Sequence, residues 1–193
     1  MTSAEPMKRS PAETRRQLLD VAADRIRAMG LQGITLDAVA KESGISKGGL
    51  LHHFPSKRHL IDAVIVDVHE RFRERMREIA AADPVETGRM TRAYLKVATE
   101  NRDEQAKKLC SILAVEARDN PTMRIQWKEC ITSLLSGQDS GDADPILLAV
   151  VQMATDGLWL AQTEGVFDDV PQLCQQIIER LEQLTYQTAV KQP

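Results

Sequence analysis

The chain has 193 residues, of which 42% are apolar and 27% are charged. That composition is ordinary for a folded globular protein and excludes a wholly disordered chain. The longest uncharged run, Pro145–Thr155, has 11 residues, whereas a membrane span needs about 20. The N-terminal sequence MTSAEPMKRS contains no apolar stretch typical of a signal peptide. We therefore expect a cytoplasmic protein without a membrane-spanning segment.

The net charge of −3 is unevenly distributed along the chain. Residues 1–60 carry ten Lys or Arg against six Asp or Glu, a net charge of +4, whereas residues 61–193 carry a net charge of −7. A small basic N-terminal unit joined to a larger acidic body indicates an anionic partner at the N-terminal end.

The three cysteines, Cys110, Cys130 and Cys174, are far apart and form no C-x-x-C motif. The sequence therefore indicates neither a disulfide framework nor a cysteine zinc site. We interpret them as small buried apolar side chains. A cysteine-based redox sensor stays an open alternative, and we predict no metal and no cofactor.

The periodic patterns of the chain are helical, because apolar residues recur three and four positions apart and no segment alternates with period two. A small polar residue followed by proline predicts helix starts at Ser10-Pro11, Asp83-Pro84 and Asp144-Pro145. The first three predicted helices end near Gly30, Gly44 and Pro55. A long fourth helix begins at Lys57, and Ser136–Ala143 is predicted to be a loop.

Residues 35–54 predict a helix-turn-helix, with a helix of about eight residues, a glycine-containing turn and a second short helix. Thr35 can cap the first of these helices and Ser46 the second. Gly44 can adopt the left-handed conformation that ends the first helix.

The second helix of this motif begins Ser46-Lys47-Gly48-Gly49. Its N-terminal end presents free N–H groups and a partial positive charge, both of which suit phosphate. The two glycines cost about 1 kcal/mol each in helix propensity, which favours a surface where the backbone approaches DNA closely. Lys47, His52 and His53 can reach DNA, and Lys57 can hold a phosphate.

Two alternatives for these residues are weaker. The stretch Gly44-Ile45-Ser46-Lys47-Gly48 also matches the G-x-S-x-G motif of serine hydrolases, but that motif must follow a strand. Here the preceding residues DAVAKES are helical, so we predict no enzyme. The adjacent His52 and His53 point in different directions on a helix, which favours DNA-facing or surface histidines over metal ligands.

The run from Glu13 to Val64 resembles the DNA-binding domain of the TetR/AcrR family of bacterial transcriptional regulators. The stretch GISKGGLLHHFPSKRHLI resembles the family pattern almost position for position. The remaining 130 or so residues match only in length and helical character. Leu51 stands where the family usually has a tyrosine that contacts DNA phosphate, and leucine cannot donate that hydrogen bond.

The resemblance implies an all-α fold of about nine helices. A flexible tail at 1–9 precedes a three-helix helix-turn-helix domain at 10–56. The long fourth helix leads into a ligand-binding and dimerisation domain at 57–193, and helices at about 145–164 and 170–188 form a homodimer. The expected DNA contacts are Thr35, Ser46, Lys47, Gly48, Gly49, Leu51, His52, His53 and Lys57.

The resemblance also implies an effector site among the middle helices. Its expected lining consists of large or polar residues at helical spacing: Met90, Tyr94, Cys110, Leu113, Glu116, Met123, Trp127, Met153, Asp156 and Trp159. Ordinary core packing is the alternative for each apolar member. Glu116 or Asp156 could be the counter-charge of a cationic ligand, or could simply be salt-bridged or exposed.

We therefore expect a homodimeric repressor that binds a palindromic double-stranded DNA operator and is released by a small hydrophobic or aromatic effector. The alternatives are a small-molecule-binding helical protein, or the redox sensor named above, with a headpiece that binds DNA non-specifically.

Overall fold

The computed structural model describes residues 10–100, 109–113 and 144–187, together with positions 115, 121, 124, 125, 128, 129 and 132. Every regular element in this part of the chain is helical, which confirms the all-α prediction. It contains seven α-helices and one 3₁₀ helix, with further helical residues between 109 and 132. The predicted tail at 1–9 and the predicted loop Ser136–Ala143 lie outside the described residues.

The elements follow the predicted order closely. Their bounds are α1 Pro11–Met29, the 3₁₀ helix Leu31–Gly33, α2 Leu36–Ser43, α3 Lys47–His53, α4 Lys57–Ala82, α5 Arg89–Thr99, α6 Pro145–Thr163 and α7 Pro171–Leu184. The last two correspond to the helices expected at about 145–164 and 170–188, except that α7 ends at Leu184.

Local chemistry explains most of these boundaries. Ser10 Oγ accepts a hydrogen bond from the Glu13 amide at 3.2 Å, and the Glu13 carboxylate accepts one from the Ser10 amide at 2.7 Å. This reciprocal pair starts α1 as predicted. Gly44 ends α2 with φ of 67° and ψ of 18°, a left-handed conformation that a residue with a Cβ rarely adopts. Asp144 caps α6 through the Ile146 amide at 2.8 Å.

The helix start predicted at Asp83-Pro84 is wrong. Asp83 ends α4, and α5 begins only at Arg89. The Asp83 carboxylate is occupied by the Val85 amide at 2.9 Å and by Nε of Arg92 at 2.7 Å. These contacts hold the segment in a non-helical loop.

Arg92 is fully buried and is the centre of this arrangement. Besides Asp83, its guanidinium donates to the carbonyls of Thr87 (2.7 Å) and Val85, and to Thr185 Oγ1 (3.2 Å). It also lies 4.3 Å from the ring centroid of Tyr186. Arg92 therefore joins the end of α4 to the turn that follows α7.

The helices enclose three clusters of buried apolar residues. The first is formed by α1, α2, α3 and the first half of α4, and it includes Leu109 and Leu113. The second lies between α4 and α5, and the third joins α5, α6 and α7. With 26 residues, α4 is about 39 Å long, so it connects the N-terminal bundle to the second cluster.

One helix in the described part of the chain, α6, is long and apolar enough to cross a membrane by length and composition. The sequence prediction differed because it considered only uncharged runs, and Asp156 interrupts this helix. One face of α6 packs against α5 and α7. The buried residues on that face explain part of its apolar character as helix packing.

We predict that Arg92→Met lowers the free energy of unfolding by about 3–5 kcal/mol, because it leaves the Asp83 carboxylate and two carbonyls without their buried donor. The loss should be present at neutral pH. It should shrink as the pH falls below 3.8, the ordinary pKa of Asp83, because Arg92 lowers the folded-state pKa of that carboxyl. Urea denaturation at several pH values measures both effects.

The matched control is Arg77→Met, which deletes the same kind of charge at an exposed position of α4. Arg77 is about half exposed and pairs only with Glu74, at 2.7 Å, among its described contacts. Its loss should cost less than about 1 kcal/mol. Equal costs for the two substitutions would contradict the anchoring role of Arg92.

Candidate nucleic-acid interface and effector site

The helix-turn-helix is held by buried apolar contacts beneath it. Leu50 of α3 is fully buried in the first cluster together with Val39 of α2. Phe54, directly after α3, is a buried member of the same cluster. The guanidinium of Arg15 lies 5.4 Å from the centroid of the Phe54 ring, a cation–π contact that the sequence analysis missed. The opposite side of α3 is left exposed.

Most of the predicted DNA contacts lie on that exposed side. Thr35, Ser46, Lys47, Gly48, Leu51 and His52 are exposed, whereas Gly49, His53 and Lys57 are half-buried. Leu51 is 37% exposed, so its side chain offers apolar surface to a partner.

The two predicted caps of the motif are present. Thr35 Oγ1 accepts from the Ala38 amide at 3.2 Å, and Ser46 Oγ accepts from the Gly49 amide at 3.1 Å. The next helix, α4, has a further cap in Ser56, which accepts from the His59 amide at 3.3 Å. Lys57 is therefore the first residue of a capped helix.

Lys47 forms an ion pair with Asp37 of α2, with 2.8 Å between Nζ and Oδ1. Both side chains are more than half exposed, so water and salt screen the pair and it contributes little to stability. Lys47 can therefore exchange this carboxylate for an acceptor on DNA at small cost. Asp37 was not among the predicted site residues, and an acidic residue in the first turn of a helix is common without any ligand.

The glycines at the start of α3 differ in their surroundings. A Cβ added at Gly48 would meet no atom within 4 Å, whereas one at Gly49 would come within 3.1 Å of Ile45 Cγ2 and 3.2 Å of Ser46 Oγ. Gly49 is therefore explained by packing. Gly48 has no such internal reason.

A charged network fixes α1 against α4. Arg16 of α1 binds both carboxylate oxygens of Asp67 of α4, one of them at 2.7 Å, and Arg71 binds the same carboxylate at 3.0 Å. Burial acts to raise the pKa of Asp67, but hydrogen bonds and charge from the two arginines hold that pKa below its usual value. Asp20 completes the network through Arg16 and Arg71.

The predicted effector residues are only partly brought together. Tyr94 is 2% exposed, and its hydroxyl donates to Asp156 Oδ1 of α6. Met90 lies with Tyr94 in the second cluster, and the ring of Phe72 meets Tyr94 edge-on at 5.7 Å between centroids. Burial raises the pKa of Asp156, and the hydrogen bond from Tyr94 opposes that rise.

The other predicted residues of the effector site lie away from Tyr94 or outside the described residues. Leu113 is buried in the first cluster, Cys110 and Trp159 are half-buried, and Met153 is 67% exposed. Glu116, Met123, Trp127 and Cys130 lie outside the described residues. Cys174 is buried in the third cluster, with Gln162 Nε2 at 3.2 Å from its sulfur. No three metal-ligating side chains converge within the described ranges.

Comparison with known proteins identifies the family of the chain. Residues 18–64 match the family model for "Bacterial regulatory proteins, tetR family", and residues 88–186 match that for "Tetracyclin repressor-like, C-terminal domain". The second match alone covers half of the chain. The chain belongs to the TetR family. It is thus a helix-turn-helix transcriptional regulator.

Individual relatives agree with this assignment. The transcriptional repressor KstR2 of Mycolicibacterium smegmatis is 29% identical over 166 residues, 78% of each chain. The regulator UidR of Escherichia coli K12 is 36% identical over 72 residues, and BetI of Klebsiella pneumoniae is 33% identical over 60. The chain spans 37% of UidR and 31% of BetI.

Solved structures share the fold at low identity. A transcriptional regulator from Pseudomonas aeruginosa PAO1 superposes with a TM-score of 0.70 at 18% identity, covering 91% of each chain. The multidrug binding protein EbrR, solved in complex with malachite green, gives a TM-score of 0.64 at 19% identity. That superposition covers 91% of this chain and 98% of EbrR.

The space around the two glycines of α3 generates a prediction. Gly48→Ala should raise the free energy of unfolding by up to about 1 kcal/mol, because alanine suits a helix better and nothing obstructs its methyl group. The same methyl group should lower affinity for operator DNA by about tenfold, equivalent to about 1.4 kcal/mol. Thermal unfolding and DNA-binding titrations measure the two effects.

Gly49→Ala is the contrasting variant, since its methyl group presses on Ile45 and should fail to stabilise the fold. A Gly48→Ala protein with raised stability and unchanged DNA affinity would contradict a close approach of DNA at this point.

Proposed function

We propose that this TetR-family regulator is a dimeric repressor that binds a partly palindromic operator and is released by a small effector. The observation that carries the proposal is the exposed N-terminal end of α3, held in place by the buried Leu50 and capped by Ser46. Such a helix can enter a major groove while its cap and backbone approach phosphate.

In this proposal the predicted DNA contacts divide into two groups. Thr35, Ser46 and Lys57 contact phosphates on either side of the groove. Lys47, the backbone at Gly48 and Gly49, His52 and His53 face the groove itself. Leu51 supplies an apolar contact there, since base edges include the thymine methyl group. The same proposal divides the chain into a DNA-binding domain that ends at residue 56 and a ligand-binding and dimerisation domain that follows it. It also places the protein in the cytoplasm, where operator DNA is accessible.

The exposed face of α6 supports dimerisation. Ile146, Val150, Met153 and Leu160 are between 48% and 72% exposed, and they lie within about 80° of one another around the helix. Leu173 of α7 is also exposed. An apolar stripe of this length needs a cover, and a second copy of α6 and α7 supplies one. The dimer would place two α3 helices about 34–36 Å apart, on successive major grooves.

The effector site of the proposal lies between α4, α5 and α6, around Met90, Tyr94 and Asp156. Cys110, Glu116, Met123, Trp127 and Trp159 remain predicted members of its lining, whereas Leu113 packs in the first cluster and Met153 lies in the exposed stripe of α6. A ligand there contacts the helix that begins at Lys57, so its binding can change the spacing of the two α3 helices. It acts only through different affinities for the two spacings, and a coupling of about 1–3 kcal/mol changes DNA affinity about 5–150-fold.

The first test is selection of bound fragments of the source genome by the purified protein at two salt concentrations. We expect recovery of one partly palindromic site that persists at the higher salt concentration. Recovery of only salt-sensitive fragments without a shared sequence would contradict the proposal, because it would mean purely electrostatic binding.

On the recovered operator, Lys57→Ala should weaken binding about equally for all sequences and lower the salt slope by about one. Lys96→Ala is the control, since Lys96 lies on α5 and pairs with Glu182 at 3.2 Å. A loss restricted to one operator sequence would contradict a phosphate contact at Lys57.

The dimer makes a separate prediction. Met153→Asp puts a charge into the centre of the exposed stripe of α6, so it should yield monomers by analytical ultracentrifugation and weaken operator binding. Ala81→Asp adds the same charge at an exposed position of α4 and should change neither. A Met153→Asp protein that stays dimeric would contradict this interface.

A further inference from the structure

Asp156 is the one charged side chain in the nineteen residues of α6. It is half-buried and lies one helical turn after the buried Gln152. A carboxylate taken from water into such surroundings is destabilised unless a partner compensates its charge. The contacts of Asp156 therefore decide what this site can bind.

The contact described for this carboxylate is the hydrogen bond from the Tyr94 hydroxyl to Oδ1. A phenol is neutral, so it orients the carboxylate and leaves its negative charge in place. None of the ion pairs in the described part of the chain includes Asp156.

Within the described helices α5 and α7, the lysines and arginines bind other groups or lie on another face. On α5, Arg92 binds Asp83 and Lys96 binds Glu182. Arg89 lies about 140° around α5 from Tyr94, so it is on another face. On α7, Arg180 is hydrogen-bonded to Gln183 at 3.2 Å. Helix α6 contains no lysine or arginine.

The residues beside Tyr94 are apolar and polarisable. The Phe72 ring meets the Tyr94 ring edge-on, and Met76 and Met90 pack in the same cluster. Aromatic rings and thioethers attract organic cations, which combine a positive charge with apolar surface. An anion would be repelled by Asp156, and a neutral ligand would leave its charge uncompensated.

From this juxtaposition of a half-buried carboxylate, an orienting phenol and an aromatic and thioether wall, we infer that the effector is an organic cation whose charge is neutralised by Asp156. Tyr94 is the positioning residue that holds the carboxylate. The inference rests on the proposed effector site and adds its charge class. Because Phe72, Tyr94 and Asp156 belong to α4, α5 and α6, one bound cation would contact three helices.

The experiment uses the full-length protein and two probes of nearly equal shape and opposite charge, tetraphenylphosphonium and tetraphenylborate. Equilibrium dialysis should give wild-type affinity for the cation that exceeds affinity for the anion by about tenfold or more. Asp156→Asn should remove about tenfold of the cation affinity. Tyr94→Phe should remove a smaller part of the cation affinity, and the protein should still prefer the cation to the anion.

Glu164→Gln is the matched control, because it neutralises an exposed carboxylate just beyond α6 and makes the same change in net charge. Its affinities should equal those of the wild type. Circular dichroism and thermal unfolding should show Asp156→Asn folded, since the substitution removes a half-buried charge.

Equal cation binding by wild type and Asp156→Asn would overturn the inference, and so would equal binding of the two probes by the wild type, including no binding of either. Operator binding by the same preparations separates this result from the proposed function. Sequence-specific DNA binding without a cation preference would refute the effector class alone. Loss of sequence-specific binding in every preparation would refute the regulator proposal, whichever probe binds.

Discussion

A guanidinium group that is removed from water needs acceptors for its N–H groups. The acceptors of the buried Arg92 lie in segments of the chain that have no regular structure. Its acceptors are the Asp83 carboxylate, two carbonyls of the loop before α5 and the hydroxyl of Thr185. The α4–α5 loop and the turn after α7 are thereby fixed to one buried point. Gly88 fits the same point because a Cβ there would come 2.5 Å from the Thr185 carbonyl oxygen.

With this anchor at its end, α4 is held at both ends. At its start, Leu60, Ile61 and Val64 are buried in the same cluster as α1, α2 and α3, and the Arg16–Asp67 pair ties it to α1. At its end, Asp83 is held through Arg92 to the turn after α7. A helix held at both ends is what the proposed coupling between an effector site and the spacing of two α3 helices requires.

Residues that act through neighbours in sequence were predictable. The caps at Thr35 and Ser46, the left-handed Gly44 and the exposed side of α3 follow from a pattern confined to twenty residues. Helix capping and turn chemistry act over three or four positions, so the sequence contains the whole interaction. The Asp83-Pro84 start was wrong for the complementary reason, since Arg92 competes for the aspartate from nine residues away.

The residues of the effector site were harder to predict from the sequence. Helical spacing identifies which residues share a face of a helix, but it does not identify what packs against that face. The sequence placed Tyr94 and Leu113 in one site, whereas they pack in different clusters. Met153 has the spacing of a core residue and lies exposed in the α6 stripe. The Tyr94–Asp156 hydrogen bond joins positions 62 residues apart, and no local pattern indicates it.

By itself the sequence determined the all-helical class, the order of the helices, the helix-turn-helix and the family, because these depend on short-range periodicity, capping and a contiguous motif. Only the tertiary structure decided that Arg92 is a buried anchor, that the first half of α4 packs with the N-terminal bundle, and that Asp156 meets a phenol. Burial and charge compensation depend on which helices pack against one another, and that packing brings together residues that the sequence keeps apart.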